Sequence, residues 1–487
     1  MTDPADAGVA ETHSAVVLFV GDRAYKLKKP VDLGFLDFRE RPAREAVCHR
    51  EVELNRRLAP DVYLGVADVT GPDGEVCDHL VVMRRMPPDR RLSTLVRAGA
   101  PVDDHLWVLA HLVAAFHARA ERSDAADAAA SPGALAGRWT DNTASLAEHG
   151  DVVDRATVDR VRALALRYLE GRQPLFRHRI AEGRACDGHG DLLADDVFCL
   201  DDGPRVLDCI EFDDQLRYGD TLADVAFLAM DLERLGRPDL GERFLRAYRE
   251  HADDTWPASL EHHHVAYRAQ VRAKVGAIRA AQGHDIAGGE ARRLLDMSLR
   301  HLEAGRVRLV VVGGMPGTGK STLAQALGDA LGATVLRSDE VRKELAGMPT
   351  DQHAPDDFGQ GIYTATATAD TYHEMVARAE VALGMGETVV LDASWSEDRW
   401  RELARSAASR THADMVELRC EVGPEVAAER IRARVAAGAD ASDATPAVAT
   451  AMATRADPWP SAVTIPTGGP PSVSVAEALD ALQRPAG

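Results

Sequence analysis

At 487 residues the chain is longer than one hydrophobic core sustains, so two or three domains are expected. A hydrophobic content of 45% and a charged content of 28% are ordinary for a soluble globular protein. The formal net charge of -20 argues against nucleic acid or an acidic membrane as a bulk electrostatic partner, and no stretch approaches the roughly 20 apolar residues that a bilayer span needs.

The first part of the chain alternates short strand-like runs with turns. Ala15–Val20 and Arg23–Leu27 flank Gly21-Asp22, a hairpin signal. Glu45–Leu58 carries Val47, Val52, Leu54 and Leu58 at helical spacing and stops near Pro60. Lys26 to Arg57 is locally basic, a pattern read either as a solvated face or as a lobe that meets an anionic ligand such as ATP. Asp78–Met86 is strand-like again and ends at Pro87-Pro88, and Val102–Ala120 is helical, with Leu106, Leu109, Val113 and Phe116 on one face. Ser123–Gly137 reads as a loop or weak helix. Helices resume to Arg184, strands surround 185–212, and helices run from Asp220 to Gly305. His262-His263-His264 cannot converge on one ion, because neighbours on a helix point apart, and is read as solvent-facing. Cys48, Cys77, Cys186, Cys199, Cys209 and Cys420 lack Cys-x-x-Cys spacing and read as reduced thiols. With no apolar signal core at the start, the chain reads as cytoplasmic.

Within the strand-rich region, Asp187-Gly-His189-Gly190-Asp191 precedes Val206–Phe212, expected to be a strand carrying acids. This suggests phosphoryl transfer: Asp191 orients or deprotonates a substrate hydroxyl, and a second acid at a strand end holds Mg²⁺ against the phosphates of ATP.

A new α/β pattern begins at Val307–Val312. Directly after Leu309–Val312 comes G-x-x-x-x-G-K-[ST]: Gly314, Met315, Pro316, Gly317, Thr318, Gly319, Lys320 and Ser321, then Thr322 and a helix-forming run. Its glycines let backbone amides wrap a polyphosphate. Lys320 is expected to reach the β- and γ-phosphates, and Ser321 to ligate Mg²⁺. Two further apolar runs end in Ser338-Asp339 and Asp392. In an open parallel sheet such strand ends face the ligand crevice, so both carboxylates are expected near the γ-phosphate, with Arg337 and Arg342 at hand for an acceptor or anion. Asp339 also reads as a helix N-cap. Trp395, Trp400 and Trp459 read as acceptor-pocket walls or as core.

Two resemblances extend this reading. His189-Gly190-Asp191-Leu192 resembles the catalytic loop of aminoglycoside phosphotransferases, members of the protein-kinase-like fold, over about 15–300. The resemblance implies a nucleotide-binding Lys in Ala24–Lys28, where Lys26 and Lys28 share a face and Lys28 is favoured. It also implies Glu51 as that lysine's partner and Val81–Pro87 as the hinge that receives adenine. The metal Asn expected five residues after Asp191 is Asp196. The metal Asp corresponds to Glu211, with Asp208 the competing choice; all three still offer carboxylate oxygens to Mg²⁺. The C-terminal segment resembles the P-loop kinases of the gluconate kinase, chloramphenicol phosphotransferase and zeta-toxin group. That implies Asp339 as base, Asp392 as the acid holding Mg²⁺ through water, and a lid helix whose Arg430 and Arg434 clamp the phosphates; Arg432 lies elsewhere, and Ser442-Asp443-Ala444 follow.

The expected architecture is an α+β protein-kinase-like domain of two lobes at 1–304, then an α/β P-loop domain with a parallel sheet at 305–487. The expected activity is transfer of the γ-phosphoryl group of Mg·ATP to a small hydroxylated acceptor by the P-loop domain, with a second kinase site in the N-terminal half. The alternatives are an ATP-driven switch and a protein-binding module.

Overall fold

A computed structural model of the chain describes residues 8–11, 14–32, 37–283, 285–349, 361–437 and 446–483. Two compact units result. One comprises Met1–Ala163, Phe176–Trp256 and Glu261–Leu302; the other comprises Leu164–Leu175, Pro257–Leu260 and Glu303–Gly487.

The first unit opens with five strands, β1 (Gly8–Glu11), β2 (Ala15–Val20), β3 (Arg23–Lys28), β4 (Tyr63–Thr70) and β5 (Val76–Arg84). They pair antiparallel in the order β1-β2-β3-β5-β4. Gly21 takes the left-handed φ of 58° that closes the β2–β3 hairpin in two residues. The helix Arg41–Asn55, started by a proline in its first turn, buries Val47, Cys48, Glu51, Val52 and Leu54. Cys48 and Val52 share a core with Ala24, Val81 and Met83 of the sheet. Strand period two therefore carries Lys26 and Lys28, two and four residues after Ala24, to the side where that helix packs.

Helices and two small β-ribbons make up the rest of this unit. β6 (Ala185–Asp187) pairs with β9 (Tyr218–Asp220), and β7 (Val197–Leu200) with β8 (Gly203–Val206). The helix Thr221–Arg234 is buried along nearly its whole length, and the Asp220 carboxylate caps it by accepting from the Leu222 amide at 2.8 Å.

Of the two readings of Ser123–Gly137, the helical one holds: Asp124–Ala130 and Pro132–Ala147 are helices, started by Ser123 and Ser131, whose hydroxyls accept from Ala126 and Ala134 amides. One expectation needs correction: Val206–Phe212 is not a strand. β8 stops at Val206, because Asp208 adopts a left-handed φ of 65° and turns the chain out of the ribbon.

The second unit has a five-stranded, wholly parallel sheet in the order β11-β12-β10-β13-β14. Its strands are β10 (Arg308–Gly313), β11 (Thr334–Arg337), β12 (Val389–Asp392), β13 (Asp414–Glu421) and β14 (Val463–Pro466). Val310, Val312 and Val390 pack with Leu323, Leu327 and Leu482 of two helices. The alternate residues Leu309, Val311 and Leu391 are equally inaccessible, so both faces of the sheet are covered, which is why these strands read as unbroken apolar runs.

Candidate functional site

In the second unit, the chain leaves β10 at Gly313, loops through Gly314–Gly319 and enters the helix Lys320–Leu331. The glycines are required by space as well as by φ. At Gly314 (φ 148°) a Cβ would lie 2.6 Å from Thr318 Oγ1, and at Gly317 (φ 81°) 2.5 Å from the Ala427 carbonyl. Thr318 Oγ1 donates to the Met315 carbonyl at 2.8 Å, which ties the loop to itself. A helix N-terminus behind a loop of this kind presents free amides to an anion.

Asp392 ends β12, in register with Val312 of β10 and Arg337 of β11. Burial raises its carboxyl above the usual range, against the Lys320 charge and a hydrogen bond from Ser321, which lower it. Arg337 Nε lies 3.4 Å from its Oδ2, while its Oδ1 is buried without a hydrogen-bond partner. A carboxylate oxygen left unsatisfied beside a P-loop serine and lysine fits a hydrated Mg²⁺ bound with phosphate oxygens. Among the described residues, no three acidic, His or Cys side chains converge to hold a metal by themselves.

Asp339 is the second residue of the helix Ser338–Leu345, whose N-cap is Arg337, so Asp339 is not a cap. It is close enough to Asp392 and Tyr372 to raise the pKa of both. Arg342 is less accessible than expected: it donates to the Ile362 carbonyl and Thr368 Oγ1, both at 3.2 Å, and lies over the Tyr363 ring. Arg337 is bound to Asp392 and Glu340. Trp395 and Trp459 are buried and also line a cavity of about 530 Å³ beside Met315 and Pro316, whereas Trp400 stacks on Tyr372 at 4.8 Å. Arg430 donates to the Thr467 carbonyl at 2.8 Å, and Thr467 Oγ1 in turn donates to the Thr318 carbonyl at 2.5 Å. Arg432 is exposed. The side chain of Arg434 and residues Ser442, Asp443 and Ala444 lie outside the described residues.

In the first unit, Glu51 is fully buried and holds two lysines: Lys26 Nζ at 2.8 Å and Lys28 Nζ at 2.6 Å. Lys26 also meets Asp208 at 2.6 Å, and Lys28 meets Glu211. Of the basic residues between Lys26 and Arg57, Lys28 and Arg44 are buried, and Arg57 binds Asp187 at 2.9 Å. A solvated face therefore does not describe Lys28, Arg44 and Arg57, whereas Arg39, Arg41 and Arg56 are exposed.

Asp191 follows Gly190, whose φ of 87° favours glycine and at which a Cβ would lie only 3.0 Å from Ile210 and 3.1 Å from the Leu216 carbonyl. Asp224 clamps the turn: its Oδ2 accepts from the His189 amide at 2.7 Å and its Oδ1 from the Gly190 amide at 2.8 Å. His189 Nε2 is 3.1 Å from the Leu207 carbonyl, linking this loop to the turn at Asp208. Burial pushes the Asp191 carboxyl up to about 6, moderated by Arg272 and Arg268. Asp196 is also raised, by burial and by the charges of Asp208, Asp191 and Asp195. Lys26 holds Asp208 below the usual carboxylate range, while burial raises Glu211 in spite of Lys28. The charges of Asp191 and Asp208 thus both bear on Asp196, although these acids are not placed to hold a metal by themselves.

Sequence reasoning passed over Arg268 and Arg272. They are spaced i,i+4 on the helix Ala258–Ala281, a detectable pattern, but nothing local marks them as neighbours of Asp191. The histidine triplet is corrected. His263 and His264 are buried, His263 accepting from Trp139 Nε1 at 3.2 Å, because this helix packs its His263 and Tyr267 against Trp139 rather than facing water. His262 pairs with His301.

A family profile described as AAA domain matches residues 309–459. The uncharacterized protein Rv2004c of Mycobacterium tuberculosis (strain H37Rv) is 45% identical over 479 residues, covering 98% of this chain and 96% of that one. Among solved structures, a gluconokinase from Sinorhizobium meliloti 1021 aligns with 36% of this chain and 91% of its own, at 20% identity and a TM-score of 0.26. A choline/ethanolamine kinase family protein from Mesorhizobium loti aligns with 61% and 92%, at 16% identity and 0.35. The GDP and kanamycin complex of APH(2")-IIIa aligns with 60% and 92%, at 16% identity and 0.39. The fold assignment stands on the sheets and loops described above: a kinase-like α+β unit and a parallel-sheet P-loop unit. No helix among the described residues is long and apolar enough to cross a membrane.

Proposed function

We propose that this chain, which belongs to the family of the uncharacterized Mycobacterium tuberculosis protein Rv2004c, moves the γ-phosphoryl group of ATP to a small hydroxylated acceptor through its P-loop unit. The observation that carries this reading is the cluster of Asp392, Ser321 and Lys320 at the mouth of the P-loop, with Asp339 beside it. Backbone amides of Gly314–Ser321 would cradle the phosphates, and Lys320 would neutralise charge on the β- and γ-oxygens. Ser321 and Asp392 would hold Mg²⁺, which when bound neutralises phosphate charge and orients the γ-phosphoryl group. Asp339 would accept the proton of the acceptor hydroxyl, and Arg430 and Arg434 would close over the phosphates from the lid helix. Positioning and charge neutralisation supply most of the catalysis in such a site.

The cluster of Asp191, Asp196 and Asp208 with Lys26 supports a second phosphotransferase site in the first unit. Here Lys26 and Asp208 are favoured over Lys28 and Glu211. Asp208 is the acid whose charge reaches both Asp191 and Asp196, whereas Glu211 is tied to a lysine buried deeper in the lobe.

The test is ATP turnover scanned against sugars, sugar acids and aminoglycosides, comparing wild type, Lys320→Ala and Asp191→Asn. Acceptor-stimulated turnover lost in Lys320→Ala is the expected result. Slow turnover that no acceptor stimulates would point to a nucleotide-driven switch. Turnover lost only in Asp191→Asn would move the chemistry to the first unit.

A further inference from the structure

The first unit contains a cavity of about 310 Å³ whose wall includes Asp191. Its volume is at the low end of the ligand-pocket range, suited to one sugar-sized molecule. Several charged groups on its wall are already engaged. Asp220 is held by Arg179 through two hydrogen bonds, and Asp224 by His117 and two backbone amides. Arg217 is taken up by Asp187, Asp214 and the Ile210 carbonyl.

The charges that remain are mostly positive. Arg268 is fixed by donating to the Ala223 carbonyl at 2.9 Å and the Gly190 carbonyl at 3.2 Å, with its guanidinium over the Phe227 ring. Arg272 lies one turn further along the same helix, near enough to Asp191 to lower its pKa, and makes no hydrogen bond or ion pair among the described residues. Lys274 donates to Asn142 Oδ1 at 2.5 Å, and Arg138 donates to the Gln215 carbonyl at 3.3 Å. Opposing these four cations on the wall are Asp191 and Asp141. His264, whose Nε2 is buried with no hydrogen-bond partner among the described residues, borders the same space.

We propose that this cavity is the acceptor site for a small hydroxylated anion, a polyol or sugar bearing a carboxylate or phosphate, which Arg272 and Arg268 hold with its hydroxyl toward Asp191. A polycationic amino sugar would meet like charge there and is disfavoured. The proposal rests on the reading of the first unit as a second phosphotransferase site. In that reaction the acceptor oxygen attacks the γ-phosphorus of ATP, the bond from that phosphorus to the β,γ-bridging oxygen breaks, the hydroxyl proton passes to Asp191, and ADP leaves.

The test uses the full chain carrying Lys320→Ala, so that the P-loop site is silenced. Calorimetric titration compares gluconate with glucose, ribose 5-phosphate with ribose, and kanamycin. At least one anion is expected to bind about tenfold or more tightly than its neutral counterpart. Arg272→Gln should erase that preference and Arg272→Lys should keep most of it, both with an unchanged melting midpoint. Gluconate and ribose 5-phosphate separate a carboxylate site from a phosphate site. No anion preference, a preference that survives Arg272→Gln, or tightest binding by kanamycin would each overturn the proposal. Transfer of label from radiolabelled ATP to the bound anion, present in the parent and absent in Asp191→Asn, checks the underlying reading separately. Selective binding without transfer would remove the kinase reading and leave the anion site standing.

Discussion

Lys26 and Asp208, 182 residues apart in sequence, meet at 2.6 Å through Nζ and Oδ1. The contact exists because β3 points Lys26 toward Glu51 while the left-handed turn at Asp208 swings a carboxylate back to it. Lys28, two residues on, is enclosed between Glu51 and Glu211 and is almost fully buried.

The two lysines should therefore respond differently. Lys28→Met leaves Glu211 without its cation and buried Glu51 with Lys26 alone, and should cost about 3–5 kcal/mol of stability, measured by urea denaturation of the full chain. Lys26→Met is more exposed and should cost less, but should lower phosphoryl transfer by the first unit about 10²-fold or more in a Lys320→Ala background. Equal losses of transfer in two equally stable variants would contradict this division.

Asp224 and Asp191 should give opposite pH signatures. Burial alone would raise Asp224, but the hydrogen bond and charge of His117, with the charges of His189 and Arg268, hold it well below the usual carboxylate range. Its stabilising effect is thus present above the unfolded value of 3.8 and lost as pH falls through its folded value. Asp191 is raised to about 6, so the folded state binds its proton more tightly and gains stability as pH falls from about 6 toward 4. Asp191→Asn should flatten that part of the stability curve by up to about 3 kcal/mol. Transfer at the first unit should decline below about pH 6, where Asp191 becomes protonated. A profile flat from pH 5 to 8 would exclude Asp191 as the proton acceptor.

Replacing Asp224 by Asn puts an amide NH₂ against a backbone N–H that now donates to a carboxylate. A loss of about 2–4 kcal/mol is expected, with hydrogen exchange fastest at His189 and Gly190. Unchanged protection at those two amides would show that the clamp is not formed in solution.

Asp392→Asn should leave the P-loop unit folded but raise its Mg²⁺ requirement about tenfold or more and lower turnover about 10²-fold. A Mg²⁺ titration of ATP turnover reads both effects. An unchanged Mg²⁺ midpoint would remove Asp392 from the metal site.

Two glycines of the second unit separate cradle from cap. Gly317→Ala forces a Cβ to within 2.5 Å of the Ala427 carbonyl at a left-handed φ and should cost nucleotide affinity about tenfold or more. Gly332 also has a left-handed φ, of 58°, but nothing lies within 4 Å of its Cβ position. Gly332→Ala should cost about 1 kcal/mol of stability and leave nucleotide affinity unchanged, read by binding of a fluorescent ATP analogue.

What was legible in the residues alone is what local physics dictates. A phosphate cradle is made of consecutive backbone amides, so Gly314–Ser321 announces itself without reference to any distant contact. Strand period two put Lys26 and Lys28 on one face, and Gly21-Asp22 marked the hairpin before them. Composition left loop and weak helix open for Ser123–Gly137, and the caps at Ser123 and Ser131 decided for two helices. Which acid meets which lysine, the burial of His263 and His264, and the approach of Arg272 to Asp191 were decided only by tertiary structure. Those relationships join residues tens to nearly two hundred positions apart, and their energies depend on desolvation and charge at a few ångströms. A chain sequence records spacing along the backbone; it holds no record of that proximity until the backbone has folded.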